Sequence, residues 1–251
     1  MNILVVGGTG MIGARLVERL RRQGHEVTAA ARSTGVDIVT GAGLAAALEG
    51  VEAVVDTSNS GYFDAIDMQR FFEAAGATLL TAAQSAGVRH HVTLSAIGVG
   101  RLDRGYFRAK RAQEEIAAAS GIPFTIVRAT PFYEYIYNLI DEGGDADVLH
   151  LPPIWVQPIA ADDVAEALAR VVLEPPVNGV VEIAGPELYR LPAIGEEMLT
   201  ANEDMRAIIA DRDARYFCAQ LEDETLIGGD GAWMGPTLFD DWLRQSLAMA
   251  D

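Results

Sequence analysis

Ile3-Leu4-Val5-Val6-Gly7-Gly8-Thr9-Gly10-Met11-Ile12-Gly13 is the stretch whose reading decides the fold. Four successive apolar, partly β-branched residues read as a strand buried on both faces, and the periodic stretch Met11–Gln23 reads as the helix after it. Between them the glycines satisfy Gly-x-Gly-x-x-Gly from Gly8 and Gly-x-x-Gly-x-x-Gly from Gly7. Strand, glycine turn and helix in that order make a pyrophosphate-binding turn. Glycine forms the tight bend, lets the backbone approach the anion and seats the helix on the strand, while free N–H groups and the helix dipole face the phosphate. The expected binding residues are Gly7, Thr9, Gly10, Met11, Ile12 and Gly13.

Working outward, short β-branched runs alternate with helical stretches through the first half of the chain. Strands are expected at Ile3–Val6, Glu26–Ala31, Asp37–Val39, Ala53–Thr57, His91–Ser95 and Phe124–Arg128, with helices at Leu44–Leu48, Ala65–Ala86 and Tyr106–Ala119. That pattern gives an α/β fold, a doubly wound parallel Rossmann-type sheet of order 3-2-1-4-5-6, with the ligand crevice at the carboxyl ends of the strands. After Arg128 the alternation fades and Pro152-Pro153 and Pro175-Pro176 shorten the pieces. Asp162-Asp163 opens one more amphipathic helix, Val180–Ala184 reads as a strand, and Thr237–Leu247 reads as a last helix. The chain is read as one domain over 1–251, with a dinucleotide-binding core over 1–130 and a small C-terminal α/β cap over 131–251.

Composition limits the function classes. The 251 residues are 50% hydrophobic, and 19 basic minus 36 acidic residues leave a net charge of −17. A field of that sign repels polyanions, so a nucleic-acid partner is not expected, and a small-molecule partner is. Cys218 has no second cysteine to pair with, the start lacks a signal-peptide pattern, and no apolar run reaches a membrane span. A reducing cytoplasm and no membrane are expected. His90 and His91, adjacent on a strand, point to opposite faces, and no metal is expected. Two apolar sides on Ala65–Ala86 fit either a monomer or a homodimer.

The end of the second strand chooses between nicotinamide cofactors. An acidic residue there would bond the ribose 2′-hydroxyl of NAD, but this chain has Ala31-Arg32-Ser33, and Arg32 with Ser33 suits the 2′-phosphate of NADP(H). A strand ending further along would bring Asp37 into play instead.

Chemistry gathers further on. Ser95 ends the fifth expected strand, and Tyr106-Phe107-Arg108-Ala109-Lys110 opens a helix that places Tyr106 and Lys110 on one face. Lys110 is the only lysine, all 18 other basic residues being arginine. A compact ammonium fits beside a phenol and a ribose where a planar guanidinium would not. One charge at about 4 Å contributes about 4 kcal/mol at an effective dielectric of 20, roughly three pKa units on a phenol that otherwise titrates near 10. Ser95, Tyr106 and Lys110 are therefore the expected catalytic residues. In that role Ser95 holds a carbonyl oxygen, Tyr106 protonates it and Lys110 tunes Tyr106 while gripping the nicotinamide ribose.

These residues, with Val127-Arg128-Ala129-Thr130-Pro131-Phe132, resemble the short-chain dehydrogenase/reductase superfamily, and among its atypical members the NmrA-like NAD(P)H-binding group. The resemblance runs from residue 1 to about 184. It implies an NADPH-dependent oxidoreductase, with Thr130 and Pro131 near the nicotinamide and Thr57, Ser58 and Asn59 near the adenine ribose. It also implies a fourth catalytic residue, an asparagine, on Ala65–Ala86. None is there, and Thr81 and Gln84 are the candidates to stand in. The same resemblance leaves open an NADP(H)-binding redox sensor that reports to a partner without turnover. A cofactor-retaining epimerase is a third reading, and Arg32 argues against its NAD. The aromatic run after Pro131 suggests an apolar substrate pocket lined by Phe132, Tyr133, Ile136 and Trp155, with Tyr62 or Phe63.

Overall fold

The structure, a computed structural model, describes residues 1–61, 64–136, 147–216 and 220–248. Tyr62, Phe63 and Cys218 lie outside the described residues. The chain divides into two compact units, one of residues 1–128 with 164–181 and one of 129–163 with 182–251.

The first unit opens with β1 (Asn2–Val6), α1 (Met11–Arg22), β2 (Glu26–Ala30), the short α2 (Leu44–Ala47), β3 (Ala53–Asp56) and α3 (Ala65–Ser85). It continues with β4 (His90–Ala96), α4 (Gly105–Ala119) and β5 (Phe124–Ala129). Ile3, Leu4, Val5 and Val6 are all buried, as a strand covered by helices on both faces requires. β1 pairs in parallel with β2, from Asn2↔Glu26 to Val6↔Ala30, and with β3, from Ile3↔Ala53 to Val6↔Asp56. β3 pairs in parallel with β4, from Ala53↔His90 to Asp56↔Thr93. One face of this sheet closes over Leu4, Val54, Leu44, Leu48, Leu79 and Leu80.

After β6 (Val148–Leu151) and β7 (Trp155–Val156), the chain forms α5 (Ala161–Leu173) and β8 (Gly179–Ala184), with Asp162 and Asp163 in the first turn of α5 as expected. It ends with β9 (Tyr189–Arg190), α6 (Leu191–Ala201), β10 (Ala207–Ala210), β11 (Trp233–Met234) and α7 (Phe239–Ala248). The main sheet is mostly parallel, with seven strands in the order β11-β8-β5-β4-β3-β1-β2. Two-stranded sheets β10-β6 and β7-β9 belong to the second unit.

One expected strand is absent. Asp37–Val39 is a turn, because the Asp37 carboxylate accepts the backbone N–H of Val39 at 2.8 Å and of Thr40 at 3.2 Å, which curls the chain back on itself. β2 is consequently the sheet edge, and the order 3-2-1-4-5-6 loses its first member. Among the described residues no helix is long and apolar enough to cross a membrane.

Candidate functional site

The glycine turn is shaped by backbone crowding. A Cβ on Gly8 would lie 2.7 Å from Val5 O and 2.8 Å from Ala29 Cα, and one on Gly13 would lie 2.2 Å from Gly7 O. Gly7 has φ +72°, and a side chain there would also meet Thr57 O at 2.9 Å. These three positions exclude side chains through the protein's own packing. Gly10 differs: its φ is −83°, its Cβ would meet only Gly7 O at 3.2 Å, and it caps the 12-residue α1 with no side-chain hydrogen bond. An uncapped helix end behind a small residue leaves first-turn N–H groups for an anion, so the turn fits a dinucleotide pyrophosphate.

At the edge of the sheet, β2 stops at Ala30 and Arg32–Thr34 form a short 3-10 turn. Arg32 and Ser33 are exposed, and among the described residues the Arg32 guanidinium makes no hydrogen bond or ion pair. Ser33 Oγ lies 3.5 Å from Thr9 Oγ1, which ties this turn to the glycine turn. Asp37 spends its carboxylate on its own turn, and those two backbone N–H groups hold its pKa below the ordinary carboxylate value. The residue at the end of β2 is therefore Arg32, not Asp37.

Past β3, the Thr57 hydroxyl donates to Val6 O at 2.7 Å, Ser58 N donates to Asp56 Oδ1 at 2.9 Å, and Asn59 is exposed. Ser58 Oγ is buried with no partner among the described residues.

Ser95 lies on β4, and Tyr106 and Lys110 lie one turn apart on α4. Lys110 is 3% exposed, and its ammonium donates to Leu94 O at 2.7 Å and to Gln113 Oε1, and sits 4.7 Å from the centroid of the Phe72 ring. Burial pulls its pKa down to about 8, with Asp56 and then Glu114 opposing the fall. Tyr106, half-buried one turn earlier, packs against the cluster of Met68, Phe72 and Ala109. Ser95 Oγ donates to Glu114 Oε1 at 2.5 Å, and Arg128 grips both oxygens of Glu114, at 2.9 and 2.6 Å. A hydroxyl against a carboxylate held by arginine must donate, so the remaining capacity of Ser95 is as an acceptor.

Asp56, Gln113 and Glu114 were not singled out in the sequence. One signal could have found Asp56: it closes a strand, Ala53–Asp56, buried at every position, and a buried carboxylate needs partners. Thr81 and Gln84 are exposed in the last turns of α3, which reaches Lys110 through Phe72 instead. On β4, His90 bonds Thr125 Oγ1 at 3.0 Å. His91 is fully buried, and burial pushes its pKa down to about 4 against the pull of Asp56.

In the second unit, Thr130 is buried and its N–H donates to Ile183 O at 3.1 Å, while its hydroxyl has no partner among the described residues. Pro131 and Phe132 are half-buried. Tyr133 and Ile136, expected to line a pocket, are instead fully buried core residues. Tyr133 packs at 5.4 Å from Phe239 and 5.3 Å from Trp242, its hydroxyl donates to Thr237 O, and burial raises its pKa. Trp155 is half-buried with the Arg190 guanidinium 4.1 Å from its ring.

Residues 7–175 match a family profile described as NAD(P)H-binding. The photosystem II assembly factor Ycf39 of Synechocystis sp. is 28% identical over 149 residues, covering 53% of this chain and 46% of that protein. The (4-alkanoyl-5-oxo-2,5-dihydrofuran-3-yl)methyl phosphate reductase of Streptomyces griseus subsp. griseus is 35% identical over 144 residues, 52% of this chain and 48% of that one. The chain thus spans about half the length of these curated relatives. The dTDP-4-dehydrorhamnose reductase of Bacillus anthracis, solved in complex with NADP, is similar in fold with a TM-score of 0.71 at 13% identity, over 100% of this chain and 99% of that one.

Proposed function

Because the chain belongs to the NAD(P)H-binding family of atypical short-chain dehydrogenases/reductases, we propose that it is an NADPH-dependent oxidoreductase. Its substrate in this reading is a carbonyl or conjugated, largely apolar small molecule. The observation that carries the reading is the seat of Lys110: the one lysine of the chain is buried a turn after Tyr106, with its ammonium on the carbonyl of the residue before Ser95.

When bound, the cofactor supplies a hydride from its nicotinamide. The glycine turn holds the pyrophosphate, and Ser58 and Asn59 border the adenine ribose. Arg32 and Ser33 bind the 2′-phosphate and so select NADPH over NADH. Tyr106 would give its phenolic proton to the substrate oxygen, balancing the hydride that the cofactor would supply to carbon. Lys110, mostly charged below about pH 8, stabilises the phenolate that results and turns its remaining N–H toward the ribose. With its own proton held by Glu114, Ser95 accepts from the hydroxyl newly formed on the product.

The test is a panel of ketones, aldehydes, enones and quinones with NADPH, run on wild type, Tyr106→Phe and Arg32→Ala. Turnover in Tyr106→Phe should fall at least about 100-fold while NADPH affinity stays within about threefold. Arg32→Ala should lose about 10- to 100-fold in NADPH affinity and little in NADH affinity. Undiminished turnover without the phenol removes Tyr106 from its role, and equal binding of both cofactors by wild type removes Arg32 from its own. A second reading, a sensor that binds NADP(H) without turnover, is favoured by the Ser95–Glu114 bond, which withholds a donor from a substrate carbonyl. Tight NADPH binding with no oxidation across the panel would select it.

A further inference from the structure

Lys110 is held by more than its own helix. Asp56, at the end of β3 and 3% exposed, accepts Ser58 N on Oδ1 at 2.9 Å and Gln113 Nε2 on Oδ2 at 2.8 Å. The other end of the same Gln113 carboxamide accepts from the Lys110 ammonium. A carboxamide between a carboxylate and an ammonium has one orientation only, since turning it over would set N–H against N–H and oxygen against oxygen. The three groups form a line from carboxylate through amide to ammonium, closed off from water at every member.

We propose that Asp56, acting through Gln113, is the positioning residue that keeps Lys110 charged and aimed. The proposal rests on the role given to Lys110 above. An ammonium in this seat, over the Phe72 ring of α3 and against a main-chain carbonyl of β4, would otherwise lose its proton readily. Among the described residues the groups around it are few. From β3 comes Asp56, and from α4 come Glu114, already bound to Ser95 and Arg128, and Tyr106 a turn away. β4 contributes His91, held neutral by burial, and α3 the uncharged Phe72. Asp56 is thus the one carboxylate of the group whose acceptor line ends at Lys110. Placing the amide between them passes on the field without a direct ion pair, which would draw the ammonium off its aim.

The uniqueness of Lys110 makes the experiment direct. Untagged protein carrying isotope-labelled lysine gives a single side-chain resonance, and its pH titration reads Lys110 alone. The wild-type midpoint is expected near pH 8, and Asp56→Asn should move it down by at least about one unit. NADPH affinity at pH 7.5 should then fall at least about threefold in the variant, as the charged fraction of Lys110 drops, and recover toward wild type at pH 6, where Lys110 recharges. A merely structural Asp56 would lower the melting temperature and leave the midpoint in place, and that result overturns the proposal. Should Asp56→Asn fail to fold, Gln113→Met takes its place, and a folded Gln113→Met with an unmoved midpoint overturns it equally. A shifted midpoint with unchanged NADPH affinity upholds the action of Asp56 on Lys110 and overturns instead the placing of Lys110 at the cofactor.

Discussion

Two regions of the first unit, the glycine turn between β1 and α1 and the polar seam between β3, β4 and α4, reach a fixed shape by opposite means. In the turn, side chains are missing so that backbone can touch backbone: a Cβ at Gly13 would lie 2.2 Å from Gly7 O. In the seam, charged side chains are present where apolar ones would pack, and each is held by another: Ser95 and Arg128 on Glu114, and Gln113 on both Asp56 and Lys110. The turn should therefore respond to added volume and the seam to removed charge.

The largest effect is expected in the seam. Glu114→Ala leaves Arg128 without its carboxylate, and the Ser95 hydroxyl without its acceptor. Breaking a buried pair from one side costs about 3–4 kcal/mol, with the low end expected because the Arg128 side chain is 22% exposed. Urea unfolding measures it. A loss under about 1 kcal/mol would mean that Glu114 is a surface group in solution and that the contrast with the turn is wrong.

Next comes Gly13→Ala. Its methyl collides with main chain that cannot be repacked, so a loss of about 2–3 kcal/mol is expected together with loss of NADPH binding. Unfolding and fluorescence titration of the same preparation check both. A variant of wild-type stability would show that the turn can open.

These two regions were unequally legible in the sequence. Strand, turn and helix occupy eleven consecutive residues, so local pattern suffices, and β1 and α1 begin within a residue of their expected places. The seam is assembled across long separations, 57 residues between Asp56 and Gln113 and 19 between Ser95 and Glu114, and no periodicity encodes such a pairing. Ser95, Tyr106 and Lys110 could be singled out as candidates because spacing on one helix and the end of one strand are local facts. What holds them is not. Asp37–Val39 misled for a related reason: two β-branched residues suggest a strand, but a carboxylate bonding the N–H groups two and three residues on makes a turn. Tyr133 and Ile136 carry a further lesson, since an aromatic run reads the same whether it lines a pocket or fills a core.

The seam also sets an acid limit. His91 is neutral in the folded chain, with burial lowering its pKa from 6.5 to about 4, whereas the unfolded chain binds a proton near 6.5. Below pH 6.5 the unfolded state therefore holds more protons, and stability falls as pH falls, by about 2 kcal/mol at pH 4.5. Burial also lowers the pKa of His90 and adds in the same direction. His91→Leu should flatten most of that slope between pH 6.5 and 4.5 in urea midpoints, since Nδ1 of His91 has no partner to lose among the described residues. An unchanged slope would assign the acid sensitivity to other groups.

Gly10→Ala should have the smallest effect on stability, and it isolates what the ligand requires from what the fold requires. The backbone at Gly10 has φ −83° and ψ 179°, open to any residue, and its Cβ would touch only Gly7 O at 3.2 Å. Alanine is a poorer helix cap than glycine, but it also leaves the unfolded chain less freedom, and the two effects of about 0.5 kcal/mol each nearly cancel. Unfolding should therefore be unchanged within about 0.5 kcal/mol. NADPH affinity should still fall about tenfold if the pyrophosphate takes the uncapped N–H groups of α1, as proposed, since the added methyl would then crowd its approach. Gly13→Ala would lose both properties and Gly10→Ala only one. If Gly10→Ala binds as wild type does, the phosphates do not pass over that residue, and the smallness of Gly10 has no function in binding.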